Sequence, residues 1–192
     1  MNEHQTSPTL ITPTIMTLDS YRDALMRDWS PDNVRGSVAA QEHLISIAKD
    51  RDAFIKSLQD VDATGPPITL PDGATIRRLP SITRWIWDGS FAGSIGLRWQ
   101  KHTSALPPHV LGHIGFSVVP WRRNRGYAKF ALAEMLNCAR AVGLDRVELT
   151  TLPDNLASQK VIIANGGVFL EKFLKDKAYG GGESLRYIIT LA

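Results

Sequence analysis

The chain reads Val118-Val119-Pro120-Trp121-Arg122-Arg123-Asn124-Arg125-Gly126-Tyr127-Ala128 between an apolar strand-like run and a long helical pattern. Three arginines and a glycine at a strand-to-helix turn suit anion binding. A helix start leaves its first N–H groups unpaired, and the helix dipole adds positive charge at the same point. Gly126 and Ala128 lack bulk, so a diphosphate can approach the backbone, while Arg122, Arg123 and Arg125 bring planar multi-donor heads. The spacing predicts an anion cradle at Arg123, Asn124, Arg125, Gly126, Tyr127 and Ala128. An ordinary helix start with solvated arginines fits the same residues taken alone.

Other groups capable of chemistry are fewer. His102, His109 and His113 are near one another in sequence, but Pro107 and Pro108 break any regular presentation and no cysteine or carboxylate joins them, so no metal site is expected. Gly180-Gly181-Gly182 precedes Glu183 rather than Lys-Ser/Thr and makes no nucleotide P-loop. Gly93-Ser94-Ile95-Gly96 has the wrong spacing for a nucleophile elbow. Cys138, the single cysteine, excludes an intrachain disulfide and reads as a half-buried apolar residue on a helix.

The elements that must carry the cradle follow from periodicity. Ala128, Ala131, Leu132, Met135, Leu136, Ala139 and Val142 recur on one helical face, and Gly143 ends it. Upstream, a short strand is expected at Thr9–Thr12, helices from Asp19-Ser20 to Trp29, over 38–48 and over 52–61, and either a loop or a loop with a brief strand over 63–78. Strands over 84–87 and 91–99 flank Asp88-Gly89, a two-residue hairpin signal. A strand over 112–119, the long helix, a strand over 146–151, a helix over 157–164 and strands over 168–174 and 185–191 complete the order. Asn165-Gly166-Gly167 is expected to supply a positive-φ helix exit. The succession predicts an α/β (α+β) layer fold with a mixed sheet.

Together these segments resemble the GNAT acetyltransferase superfamily, whose pyrophosphate loop reads Gln/Arg-x-x-Gly-x-Gly/Ala; Arg123, Gly126 and Ala128 match it. Gly112 to Val118, then Pro120, Arg122 and Gly126-Tyr127-Ala128, then Thr150-Thr151, Asn155, Ser158 and Asn165-Gly166-Gly167, are similar to a little-characterised bacterial branch, over Leu79–Leu191. The resemblance implies a central, mostly antiparallel sheet with helices on both faces, and acetyl-CoA as acyl donor. Its pantetheine arm would lie in a gap beside the strand holding Ser117, Val118 and Val119 and pair with main-chain groups, an N–H near Val118 would polarise the thioester carbonyl, and Asn155 and Ser158 would contact the pantetheine or its loop. Asp154-Asn155 is equally a normal helix cap.

An attacking amine must be neutral, which calls for a proton acceptor, and the departing thiolate needs a proton. His113, at the start of the cofactor strand with a reference pKa of about 6.5, is the first candidate base, although a lone strand histidine commonly makes a structural hydrogen bond. Glu148, on the neighbouring strand, is the second. The thiolate-facing tyrosine of relatives lies seven residues after the asparagine, where this chain has Ile162; Tyr179 and Tyr187 are distant substitutes. The implied activity is N-acetylation of a small-molecule or peptide amine, held between the N-terminal helices and the last hairpin, with Trp29, Trp85, Trp87, Trp99 and Trp121 as candidates for lining the cleft or filling the core. A CoA-sensing module without turnover, or a binder of nucleotides or RNA, are the alternatives.

The length of 192 residues and the ordinary 43 % apolar content fit one domain: a polar tail over 1–8, then 9–192, divided into a helical acceptor-side region (9–78) and the acetyltransferase core (79–191). A net charge of +3, with much of it at the cradle, requires no nucleic-acid partner, and no apolar run reaches the about 20 residues that span a bilayer. A cytoplasmic location and a possible homodimer are the expectations.

Overall fold

The computed structural model describes residues 7–69, 73–177 and 181–191. Strand β1 (Thr9–Ile11) pairs antiparallel with β5 (Ser81–Trp87). Helix α1 (Ile15–Met26) follows at once, its start closed by the Thr17 hydroxyl accepting the Thr14 N–H at 3.1 Å. The expected start at Asp19-Ser20 fails because tertiary partners take both side chains. Asp19 pairs with Arg51 at 2.9 Å, and Ser20 Oγ accepts the Phe91 N–H at 2.8 Å. The helix also stops short of Trp29: Asp28 adopts a φ of 60°, and the indole turns into the core.

Helices α2 (Ser37–Lys49) and α3 (Arg51–Ser57) meet at Asp50, whose carboxylate accepts the Ala53 N–H at 2.9 Å. The helix expected over 52–61 is cut short because β2 (Gln59–Asp60) pairs instead with Ile82 and Ser81 of β5. The stretch left open over 63–78 contains a small hairpin, β3 (Ile68–Thr69) with β4 (Thr75–Ile76); residues 70–72 are outside the described residues.

Strands β5 and β6 (Phe91–Arg98) form the central hairpin. Trp87 pairs with Phe91, so the connection is Asp88-Gly89-Ser90 rather than two residues, and the register slips at Ile86/Trp87. Strand β7 (Ile114–Val118), a 3₁₀ turn (Pro120–Arg122), α4 (Tyr127–Ala141), β8 (Arg146–Thr151), α5 (Leu156–Ile163), β9 (Val168–Leu174) and β10 (Glu183–Thr190) follow. The positive φ of 83° at Gly143 and 85° at Gly166 ends α4 and α5 as their sequence implies.

Hydrogen bonding orders β1-β5-β6-β7, with β2 also on β5, in one sheet and β8-β10-β9 in another. Every ladder among the described residues is antiparallel. The α/β class with helices on both faces is therefore observed, while the sheet is split between β7 and β8. On one face α4 and α5 bury Leu132, Met135 and Ile162 against Ile86, Ile95, Leu97, Val147, Leu149 and Ile189. On the other, Leu18 and Tyr21 of α1, Trp29 just beyond it, Ile47 of α2 and Phe54 of α3 are buried against Trp85 and Phe91. Tyr21 stacks on Trp85 at 4.7 Å between ring centres. Each fully buried large side chain contributes about 1.5–3 kcal/mol, so the two cores clamp β5–β7 from both faces.

Candidate functional site

The split in the sheet is held at one end by a side chain. His113 N–H donates to the Glu148 carbonyl at 2.8 Å, and the Glu148 N–H donates back to His113 Nδ1 at 2.9 Å. Beyond this junction no ladder joins β7 to β8. On its other edge β7 is saturated: Val119 N–H donates to the Ala92 carbonyl at 3.0 Å and Arg98 N–H to the His113 carbonyl at 2.9 Å. Bonded positions alternate in an antiparallel pair, so Gly115, Ser117 and Val119 turn their polar groups to β6, whereas Phe116 and Val118 turn theirs into the gap.

This parity divides the expected strand site. Val118 presents main-chain groups to the gap, as does Phe116, which the sequence reading omitted. Ser117 and Val119 do not: the Ser117 hydroxyl accepts from Trp29 Nε1 at 3.1 Å, and Val119 is buried among the α1–α3 core residues. Alternation of apolar residues gives the parity of side chains, but which parity faces which neighbour depends on the pairing. Gly93 permits the close approach of β6 to Val118, since a Cβ there would meet the Ser117 carbonyl at 2.5 Å.

At the mouth of the gap lies the arginine-rich loop. Asn124 (φ 61°) and Gly126 (φ 77°) are both left-handed, and Gly126 is the N-cap of α4. Among the described residues the N–H groups of residues 124 to 129, Arg125, Tyr127 and Ala128 included, find no protein acceptor. The three arginines separate in role. Arg123 Nε donates to the Val118 carbonyl at 3.2 Å, and Arg125 lies beside the Tyr127 hydroxyl. Arg122, expected at the anion, turns away to Asp88, with Nε 3.1 Å from Oδ2. Asp88 also accepts the Tyr127 hydroxyl at 2.8 Å. Burial, then the Asp88 carboxylate, raises the Tyr127 pKa and keeps it a donor. The β5–β6 turn is thus pinned to the start of α4, a link carried by a residue the hairpin signal alone had marked.

On the far side of the gap, Asn155 is the N-cap of α5 and its Oδ1 accepts the Ser158 N–H at 3.0 Å, so the capping alternative describes its side chain. Ile162 is buried in the core. Tyr187 is also buried, its hydroxyl 3.4 Å from Gln159 Oε1; Tyr179 falls outside the described residues. Trp29, Trp85 and Trp99 are core residues, and Trp87 and Trp121 only partly buried, with Arg27 stacked on Trp121 at 3.7 Å.

His113 is fully buried, and burial, followed by the charges of Arg146 and Arg98, lowers its pKa to about 4. Because an amide N–H can only donate, Nδ1 carries the lone pair and Nε2 the proton. The base role expected of His113 meets this geometry poorly, since its one acceptor nitrogen already holds Glu148. Glu148 has its carboxylate on the face opposite Val147 and Leu149, 3.1 Å from Arg186 Nη1. With Arg146, Arg186 and the loop from Ala105 to Val110 it lines a hollow of about 190 Å³.

A sheet opened between two strands, with unpaired helix-start amides at its mouth, is a geometry that can take an extended ligand with an anionic end. The Acetyltransferase (GNAT) domain model matches residues 49–168, and the chain belongs to the GNAT acetyltransferase family. That match begins upstream of Leu79, where the sequence resemblance started. No curated protein matches the sequence. The fold is similar to the microcin C7 self-immunity acetyltransferase MccE, solved with acetyl-CoA and AMP (TM-score 0.61, 12 % identity, 98 % of this chain and 93 % of that one). It is also similar to a GNAT-family acetyltransferase from Bacillus anthracis (0.61, 15 %, 97 % and 96 %) and to Mycobacterium smegmatis RimJ, solved with CoA-disulfide (0.57, 21 %, 95 % and 81 %). Among the described residues, no group of three or more metal-ligating side chains is assembled and no helix is long and apolar enough to cross a membrane.

Proposed function

We propose that the chain transfers the acetyl group of acetyl-CoA directly to an amine. The observation that carries this reading is the gap between β7 and β8, open on the side of Phe116 and Val118 and ending at unpaired amides of residues 124 to 129. The residues present fit the donor. Arg123, Asn124, Arg125, Gly126, Tyr127 and Ala128 would hold the diphosphate through their N–H groups, with Arg123 and Arg125 adding charge. Phe116 and Val118 would pair with the pantetheine amides, and the Val118 N–H would stabilise charge on the acyl oxygen.

Transfer forms a bond from the amine nitrogen to the acyl carbon and breaks the carbon–sulfur bond; one proton leaves nitrogen and one reaches sulfur. We assign proton acceptance to Glu148, directly or through water, and to His113 the holding of the two strands at the apex. With Ile162 in the core, the thiolate is protonated by water. The acceptor enters between the N-terminal helices and the β9–β10 side.

Calorimetry with acetyl-CoA, followed by thiol release across a panel of amines, tests the reading. Binding with turnover on one of them is expected. Binding without release on any amine favours a CoA sensor, and no binding of acetyl-CoA or CoA removes the proposal. Glu148→Gln should bind acetyl-CoA as the parent does while losing about 10²-fold or more in turnover; an unaltered rate and pH profile would take Glu148 out of the reaction.

A further inference from the structure

The face of β5–β7 turned toward α1–α3 is covered over only part of its length. Directly opposed residues share a face, so three rows cross it: Trp85-Ser94-Ser117, Thr83-Gly96-Gly115 and Ser81-Arg98. The first row is closed. Ser94 and Ser117 are each 7 % exposed, and Trp29 and the Ser30 carbonyl reach Ser117 Oγ at 3.1 and 3.4 Å. The second row is bare. A Cβ built on Gly115 meets nothing within 4 Å, and on Gly96 nothing closer than 3.7 Å. Neither glycine needs a positive φ, so backbone strain does not explain them. They leave open a stretch of the sheet face that starts beside Ser117 and Val118, where the acyl carbon would lie, and runs to Arg98. Ser94 and Arg98 are four positions apart on β6, about 13 Å along the strand.

The candidate charges on these elements are unequally committed. Asp32 Oδ1 accepts the Val34 and Arg35 N–H groups at 2.8 and 2.9 Å. Arg186 is held by Glu148 at 3.1 Å and Glu171 at 3.3 Å. Arg98 is exposed and closes no ion pair within 4.0 Å among the described residues, although the Asp32 charge acts on it. Desolvation lowers its pKa, against the Asp32 charge, which raises it.

We infer that this open stretch of the sheet face is the acceptor subsite and that Arg98 binds a carboxylate of the acceptor, making the substrate class a small amine that also carries a carboxylate. The inference rests on the acetyltransfer reading above. One guanidinium matches a single negative charge bidentately, whereas a phosphate would bring nearly two charges toward Asp32. An amine carried on the same molecule lies between the Arg98 end and the Ser117 end, within the length of the open stretch.

The test uses the full chain, acetyl-CoA and matched acceptors: amino acids and their carboxamides, followed by thiol release. The expected result is a kcat/KM about 10- to 100-fold higher for the free acids than for the amides, expressed mainly in KM. Arg98→Gln should erase that preference, and Gly115→Val should raise KM for every acceptor by filling the open stretch, both with acetyl-CoA affinity unchanged. Equal use of acids and amides, a preference that survives Arg98→Gln, or acetyl-CoA bound but turned over on no carboxylate-bearing amine overturns the inference while leaving the donor site standing. Failure of acetyl-CoA to bind overturns the acetyltransfer reading itself, and this one with it.

Discussion

His113 joins the two halves of the sheet as a neutral ring, and that makes the fold sensitive to acid in a calculable way. Its pKa falls from 6.5 in the unfolded chain to about 4 in the folded one. Below about pH 6.5 the unfolded chain takes up a proton that the folded chain refuses, so stability is complete above that value, declines as pH falls, and levels off once both states are protonated near pH 4. With the folded ring refusing its proton from about pH 6.5 down to about pH 4, at about 1.4 kcal/mol per pH unit, a loss of about 3 kcal/mol is expected by pH 4. His43 is also depressed, by burial, and steepens the raw curve. The informative comparison is with His113→Gln, whose amide oxygen can still accept the Glu148 N–H but does not titrate. Urea unfolding of both proteins between about pH 7 and pH 4 should show the parent losing about 3 kcal/mol more than the variant. Parallel curves would refute the assignment of a buried neutral imidazole at the strand junction.

Two further outcomes follow from packing. Asp88→Ala removes the partner of both Arg122 and Tyr127 at a carboxylate only 5 % exposed, so a loss of about 2–4 kcal/mol in thermal or denaturant unfolding is expected, with weaker CoA binding as the start of α4 loosens. A change below about 0.5 kcal/mol would show that the pin is not stabilising. Gly167→Ala places a Cβ 2.8 Å from the Ile162 carbonyl oxygen and against its side chain, which should destabilise by about 1–3 kcal/mol and shift the Tm measured by calorimetry. An unshifted Tm would mean that the turn after α5 yields freely.

How much was legible in the sequence depends on how local each cause was. Helix α4 and its glycine stop, strand β8, the cap at Asn155 and the left-handed exit at Gly166 are each set by residues within a few positions of one another, and the chain's own periodicity and turn chemistry announced them. The arginine-rich loop and its place before α4 were equally plain. The start of α1, the early end of α3 and the three-residue turn at Asp88 were not, because Arg51, Phe91, Ile82 and Tyr127, distant in sequence, decide them. For the site the division is the same. By itself the sequence determined that an arginine-rich turn joins a strand to a helix. Only the tertiary structure decided that Phe116 and Val118 face the gap while Ser117 and Val119 do not, that Arg122 turns to Asp88, and that the lone pair of His113 accepts the Glu148 N–H. A residue's type sets what chemistry it can do, but the free edge, the buried face and the available lone pair are fixed by partners that only folding brings together.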